Sequence, residues 1–372
     1  MLARTESVAL IGIEARPVQV EVNVGTGVPA FRIVGLPAKS VQEAEQRTRS
    51  ALETSSERWP PHRIVANLAP GGLRKEGTHF DLPIALGVLI GDGRIEQTSV
   101  DDWIVVGELG LDGSVRPVPG VLSAALCCRR LGRKGIVCPL ASAPEAALVS
   151  GIEVVGIEGI QQCIDFFRKR WDPPHVEAAA AEARVMQEDL AEVKGQPAAK
   201  RGATIAAAGG HNLLFAGPPG AGKTMLARRV STILPKMTFD EALEVTSVHS
   251  IAGLLLEDAA LVSERPFRSP HHSVTVAGIV GGGTGLARPG EACLAHNGVL
   301  FLDELPLFKM PVLESLRGPL EDKCVKLARS GGVVRYPCNF SLIAAMNPCP
   351  CGFLGDRTKL CRCSDFRLEL YA

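Results

Sequence analysis

HNLLFAGPPGAGKTMLARRV, residues 211–230, decides how the rest of the chain is read. A short apolar run, LLFA (213–216), is followed by a glycine-rich stretch and then by a segment whose Met225, Leu226 and Val230 recur at helical spacing. The order strand, loop, helix is the setting that the pattern G-x-x-x-x-G-K-[ST] requires, and Gly217, Pro218, Pro219, Gly220, Ala221, Gly222, Lys223 and Thr224 fill it. Glycines let successive backbone N–H groups turn toward phosphate oxygens, and the helix that follows aims its positive end at the same anion. Lys223 is expected to bring a point charge to the β and γ phosphates and Thr224 a hydroxyl to Mg²⁺, with Met225 opening the helix beside them. ATP and Mg²⁺ are therefore the expected ligands.

Two further stretches complete the expectation. VLFLDE (299–304) is an uninterrupted apolar run ending in two carboxylates, the signature of a buried parallel strand whose C-terminal end meets a ligand crevice. Asp303 is expected to hold the metal and Glu304 to polarise an attacking water. A third strand, 340–345, runs into Met346 and Asn347, so an amide falls at a strand end, either as a simple cap or as a group that orients water and senses phosphate.

At 372 residues the chain is long for one domain, and its 46% hydrophobic and 22% charged residues are ordinary for a folded protein. Residues 7–24 alternate in apolar character and read as a hairpin ended by Gly25 and Gly27. Strands near 31–35, 63–68, 103–109, 135–139 and up to 157 then alternate with helical stretches at 38–53, 82–90, 121–130, 143–148 and up to about 170. This is an α/β pattern. WDPPHVEAAAAEAR and its surroundings, 171–185, have no apolar face and read as a linker.

Positive and negative charges balance in each half, 19 Lys and Arg against 19 Asp and Glu through Arg170 and 21 against 21 from Trp171 onward, so neither half is a basic arm. DNA binding would need a locally segregated basic surface or pore. No run of about 18 apolar residues suggests a membrane span and no leader pattern is seen, so a cytoplasmic protein is expected. Most of the eleven cysteines sit singly, or as the pair Cys127 and Cys128, on apolar stretches and read as core residues. Cys349, Cys351, Cys361 and Cys363 differ. Two C-x-C pairs with Gly352 and Gly355 between them read either as a structural Zn²⁺ site or as four reduced thiols.

These motifs, together with RPFRSPHHS (265–273), ARPGEACLAHNGVLFLDEL (287–305), LRGPLED (316–322) and NPCPCG (347–352), resemble the YifB/ComM family of magnesium-chelatase-like AAA+ ATPases. FRIVGLP (31–37), NLAPGGLRKEGTHFDLPIAL (67–86) and VGELGLDGSVRPVPG (106–120) resemble that family's first domain, which is similar in fold to the Lon proteolytic domain. The resemblance implies a Lon-like α/β domain over 1–170, the linker 171–185, and a P-loop AAA+ three-layer α/β/α domain with a parallel sheet over 186–372. It makes Lys223 and Thr224 Walker A, Asp303 and Glu304 Walker B and Asn347 sensor 1, and places VKGQ (193–196) at the adenine. Lys223, Glu304 and Asn347 are then the expected catalytic set. Arg268, His271 and His272 fall where such rings reach toward DNA or a neighbouring subunit, or else form a local hydrogen-bonding element.

A Lon-like half suggests a Ser-Lys protease, but the nucleophile position holds His79 or Phe80 and the lysine position holds Leu122, so a scaffold or interaction module is expected instead. After Ser364 the chain reads DFRLELYA, whereas family members continue into an arginine-bearing helix and a helical lid. A core that lacks the lid is expected to bind ATP and turn it over slowly. The functions implied are a hexameric ATP-driven motor on DNA, in branch migration or competence-related DNA processing; a motor for Mg²⁺ insertion into a porphyrin; or a nucleotide-dependent interaction module without hydrolysis.

Overall fold

The computed structural model describes residues 1–178, 188–255, 261–283, 287–329, 332–356 and 359–371. The chain divides into two compact units, one comprising Met1–Ala181, His249–Leu261 and Arg329–Val333, the other Glu182–Val248, Val262–Ala328 and Val334–Ala372. Residues 171–178 of the expected linker form neither helix nor strand, and 179–185 lie outside the described residues.

The first unit is a seven-stranded mixed sheet. Its strands are β1 (Leu2–Ile11), β2 (Glu14–Gly25), β3 (Ala30–Val34), β4 (Arg63–Ala69), β5 (Trp103–Val105), β6 (Gly135–Pro139) and β7 (Glu153–Ile157), in the order β3-β4-β2-β1-β5-β6-β7. β1 and β2 are antiparallel across a two-residue turn in which Gly12 takes φ +63°. Every second residue of β2 is buried, Val18, Val20, Val22 and Val24, which is the period of a strand with one wet face. Against that apolar row lies α2 (Asp81–Gly91), which follows α1 (Ala44–Thr54) and is buried on all sides. A Cβ on Gly87 would stand 2.4 Å from Val22 Cγ2, and one on Gly91 2.7 Å from Val24 Cγ2. Two glycines four residues apart therefore let the helix lie directly on the sheet. The expected strand at 103–109 is two pieces, β5 and a short hairpin strand Glu108–Leu109. The break comes at Gly107, whose N–H bonds His79 O and whose carbonyl accepts from Leu82 N–H, so its backbone is spent on α2's approach and not on the sheet. His79, Phe80 and Leu122 are core residues; the His79 ring bonds Val8 O at 2.7 Å and burial pushes its pKa down to about 4.

One ion pair ties α1 to α2. Arg47 grips Asp81 with Nε at 2.6 Å and Nη2 at 2.9 Å, and the carboxylate is fully buried in the first turn of α2. Burial pushes the Asp81 carboxyl up to about 6, while the guanidinium holds it down. Arg47→Ala is expected to cost roughly 3 kcal/mol at pH 8, because it leaves an uncompensated buried charge. Without Arg47 the folded-state pKa of Asp81 rises further above its unfolded value of about 3.9, so the loss grows as pH rises through that window and shrinks toward pH 4. Urea unfolding at pH 4.5 and pH 8 followed by tryptophan fluorescence checks this, since Trp59, Trp103 and Trp171 all lie in the first unit.

The second unit carries a four-stranded parallel sheet of β8 (Leu213–Ala216), β9 (Phe267–Arg268), β10 (Val299–Leu302) and β11 (Ser341–Met346), in the order β8-β11-β10-β9. Helices α3 (Pro197–Gly209) and α4 (Lys223–Ile233) flank β8 in sequence. Both faces of the sheet are covered. Val299, Phe301, Ile343 and Ala345 pack with Ala203, Leu226 and Val230 on one side. Leu300, Leu302 and Ala344 pack with Ile279, Phe308 and Leu316 on the other. The uninterrupted apolar run of β10 follows from that, because a strand buried on both faces has no polar side to alternate with. Among the described residues no helix is long and apolar enough to cross a membrane.

Candidate nucleotide-binding site

Because β11 inserts between β8 and β10, the C-terminal ends of three strands meet. Ala216 pairs with Met346 and Leu302 with Ala344, so the glycine loop, Asn347 and Asp303 leave the sheet side by side. The loop runs from Gly217 to Gly222, with Gly220 at φ +78° and Gly222 at φ +79° immediately before α4. These left-handed positions curl the backbone at the helix N-terminus, where unpaired N–H groups and the helix dipole favour an anion.

The Lys223 ammonium lies inside that curl. It donates to Gly217 O at 2.8 Å, Pro218 O at 3.0 Å and Asn347 Oδ1 at 2.9 Å, using all three of its donors on oxygens. Thr224 Oγ1 donates to Asp303 Oδ2 at 2.7 Å, and the other Asp303 oxygen accepts the Glu304 N–H at 2.9 Å. A hydroxyl beside a carboxylate, both on the solvent side, is a hard-oxygen pair of the kind that suits Mg²⁺. Glu304 takes φ +52°, a left-handed conformation that costs a side-chain-bearing residue about 1 kcal/mol or more. The chain turns there into a 3-10 turn (Leu305–Leu307), and the Glu304 side chain stands half-exposed at the strand end.

Gln196, also left-handed at φ +53°, donates to Ala221 O at 3.3 Å, which sets the 193–196 segment against the loop. His272 Nδ1 lies 3.8 Å from Glu304 Oε2, and its ring lies tilted by 36° against that of His271 with centroids 4.0 Å apart. His271 bonds Ser273 Oγ at 2.8 Å. Arg268 is held by Glu291 in a two-pronged pair of 2.7 and 2.9 Å, which raises its pKa. Within the chain Arg268 is committed to Glu291 and His271 to Ser273.

The four-cysteine loop adjoins the same site. Cys349 Sγ is 3.3 Å from Cys351 Sγ and 3.7 Å from Cys361 Sγ, Cys351 and Cys361 are 3.6 Å apart, and all four sulfurs fall within 4.8 Å of one another. Of the other seven cysteines six are buried and Cys324 is half-buried.

The sequence of residues 189–372 matches the model of the family described as magnesium chelatase, subunit ChlI, and residues 20–142 match that of subunit ChlI of Mg-chelatase. YifB of Escherichia coli is 43% identical over 92% of this chain and 67% of its own length, and the competence protein ComM of Haemophilus influenzae is 43% identical over 94% of this chain and 69% of its own. The chain belongs to the YifB/ComM family of magnesium-chelatase-like AAA+ ATPases. A more distant likeness is to Lon protease 2 of Bacillus subtilis, 24% identical over 38% of the chain, consistent with the Lon-like part of the two-domain fold.

For a member of this family, the structure brings Lys223, Thr224, Asp303, Glu304 and Asn347 to one end of one sheet. Two neighbours of the set carry no sequence signal: the approach of His272 to Glu304, and the seating of Gly352 against Pro219, where a Cβ would meet Pro219 Cδ at 2.4 Å. His272 is 32 positions from Glu304 and Gly352 is 133 from Pro219, separations at which no periodicity reports proximity.

Proposed function

We propose that this chain binds and hydrolyses ATP at the Gly217–Thr224 loop and works as a ring-forming motor on DNA. One observation carries the nucleotide part: Lys223 bonded to Asn347, and Thr224 bonded to Asp303, at the open end of a parallel sheet. In this reading Gly217, Pro218, Pro219, Gly220, Ala221, Gly222 and Met225 frame the phosphates, and the Lys223 ammonium exchanges its loop carbonyls for β and γ oxygens. Thr224 and Asp303 hold Mg²⁺, which when bound neutralises the charge on the phosphates. Glu304 orients and polarises the attacking water, and Asn347, released from Lys223, faces the γ-phosphate. Phosphoryl transfer asks little more of a protein than position and charge, and these five side chains supply both. Zn²⁺ on the four cysteines is the second cofactor of the reading.

DNA as the object of the motor is supported by the name of the competence protein ComM, to which the chain is similar over nearly all its length. The balanced charge means that such binding would rest on a local basic surface, and a hexameric ring with a pore is the arrangement that creates one. The ChlI family models favour a second reading, a motor for Mg²⁺ insertion into a porphyrin. Steady-state ATP turnover with and without forked DNA, alongside mass measurement with and without ATP, separates them. A several-fold stimulation by DNA with hexamers in ATP is expected. Turnover indifferent to DNA would sink the DNA motor, and binding without turnover would leave only a nucleotide-dependent interaction module.

A further inference from the structure

Four sulfurs on two C-x-C pairs converge without filling a core. Only Cys349 is buried; Cys351, Cys361 and Cys363 are half-exposed and turn toward one another. Apolar thiols at the surface have no reason to gather, because burial that stops half-way returns little of the transfer energy. A tetrahedral metal does give one. With Zn–S near 2.3 Å, the edges of the tetrahedron are about 3.8 Å long, and the sulfur separations of 3.3, 3.6 and 3.7 Å lie at that scale. The Leu354 N–H also points at Cys349 Sγ at 3.3 Å, as amides do at a thiolate carrying negative charge.

The loop these cysteines close touches the phosphate loop. Gly352, the residue after Cys351, has φ +82°, and a Cβ there would stand 2.4 Å from Pro219 Cδ and 2.7 Å from Cγ. Only glycine allows both the conformation and the contact. At the other end of the same turn, Asn347 lies two residues before Cys349 and holds Lys223. The cysteine loop therefore bears on the nucleotide site at two points, Pro219 and Asn347.

We propose that Cys349, Cys351, Cys361 and Cys363 bind one Zn²⁺ and that the metal-closed loop is a buttress for the phosphate loop, so that zinc occupancy and ATP affinity are linked. The linkage rests on the nucleotide reading above; the metal site does not. Without the metal, two C-x-C turns separated by nine residues have only weak contacts to hold them, and Pro219 and Asn347 lose a fixed neighbour. Coupling of this kind is reciprocal: zinc tightens ATP binding by the factor by which ATP tightens zinc binding.

The test is elemental analysis of the purified chain together with titration by a fluorescent ATP analogue, before and after zinc removal by a chelator and re-addition of ZnCl₂. Circular dichroism reports whether the fold persists. One zinc per chain is expected, with an analogue Kd that rises roughly tenfold on removal and recovers on re-addition. Gly352→Ala leaves the four thiols in place and should keep the zinc while raising Kd by a similar factor; Cys361→Ser with Cys363→Ser should lose both. No zinc retained or taken up, or iron in its place, overturns the metal assignment. Zinc present but a Kd unmoved by chelation and by Gly352→Ala overturns the buttress. Failure of the zinc-loaded chain to bind the analogue at all overturns the nucleotide reading and the linkage with it, while the zinc count stands.

Discussion

Lys223→Ala is expected to abolish saturable binding of a fluorescent ATP analogue at micromolar protein. The ammonium lies inside the curl of the loop, and its present partners are three oxygens that a polyphosphate would replace. A charge-assisted contact to phosphate, with the loop geometry it supports, is worth about 3 kcal/mol, and the loss raises Kd on the order of 100-fold. The fold should survive, because the side chain bonds loop carbonyls and Asn347 and, among the described residues, belongs to neither apolar cluster on the two faces of the sheet. Titration by fluorescence anisotropy decides the matter. A variant that binds within threefold of the parent would show that the loop is a glycine-rich turn with no phosphate to hold.

Glu304→Gln separates binding from chemistry. The amide keeps the shape and the left-handed backbone at that position but cannot draw a proton from water. The analogue Kd is expected to stay within about twofold, while single-turnover hydrolysis slows by roughly 10² to 10⁴, the range for loss of a general base. Asp303 makes the opposite case. It holds both the Thr224 hydroxyl and the Glu304 N–H, so its removal should weaken metal-dependent binding itself. Hydrolysis undiminished in Glu304→Gln would move the catalytic role elsewhere, first to the neighbouring His272.

Much of the second unit is legible in the residues. The strand expected at 213–216 is found at Leu213–Ala216, and that expected at 340–345 at Ser341–Met346. In the first unit, the helix expected at 121–130 is found at Val121–Arg130. Each is a local pattern of apolar residues closed by glycine, proline or charge, and such patterns act through neighbours in the chain. The hairpin strand starts earlier than its alternation suggests, at Leu2, because its polar residues pair across to β2 regardless of side-chain pattern. The helical stretch 38–53 is two helices, Lys39–Gln42 and Ala44–Thr54, with Glu43 between them. Periodicity cannot see that break, since Glu43 fits either turn.

From its letters alone this chain specifies a glycine-rich loop between a strand and a helix, an acidic pair at the end of a buried strand, and four thiols within fifteen residues, since spacing along the backbone dictates each. The folded chain alone decides that β11 slides between β8 and β10 and so carries Asn347 to Lys223. It also decides that Gly352 rests on Pro219 and that His272 faces Glu304. Those meetings depend on which surfaces exclude water from one another across more than thirty and up to some 130 residues of chain, a choice made by packing as a whole and written in no single stretch.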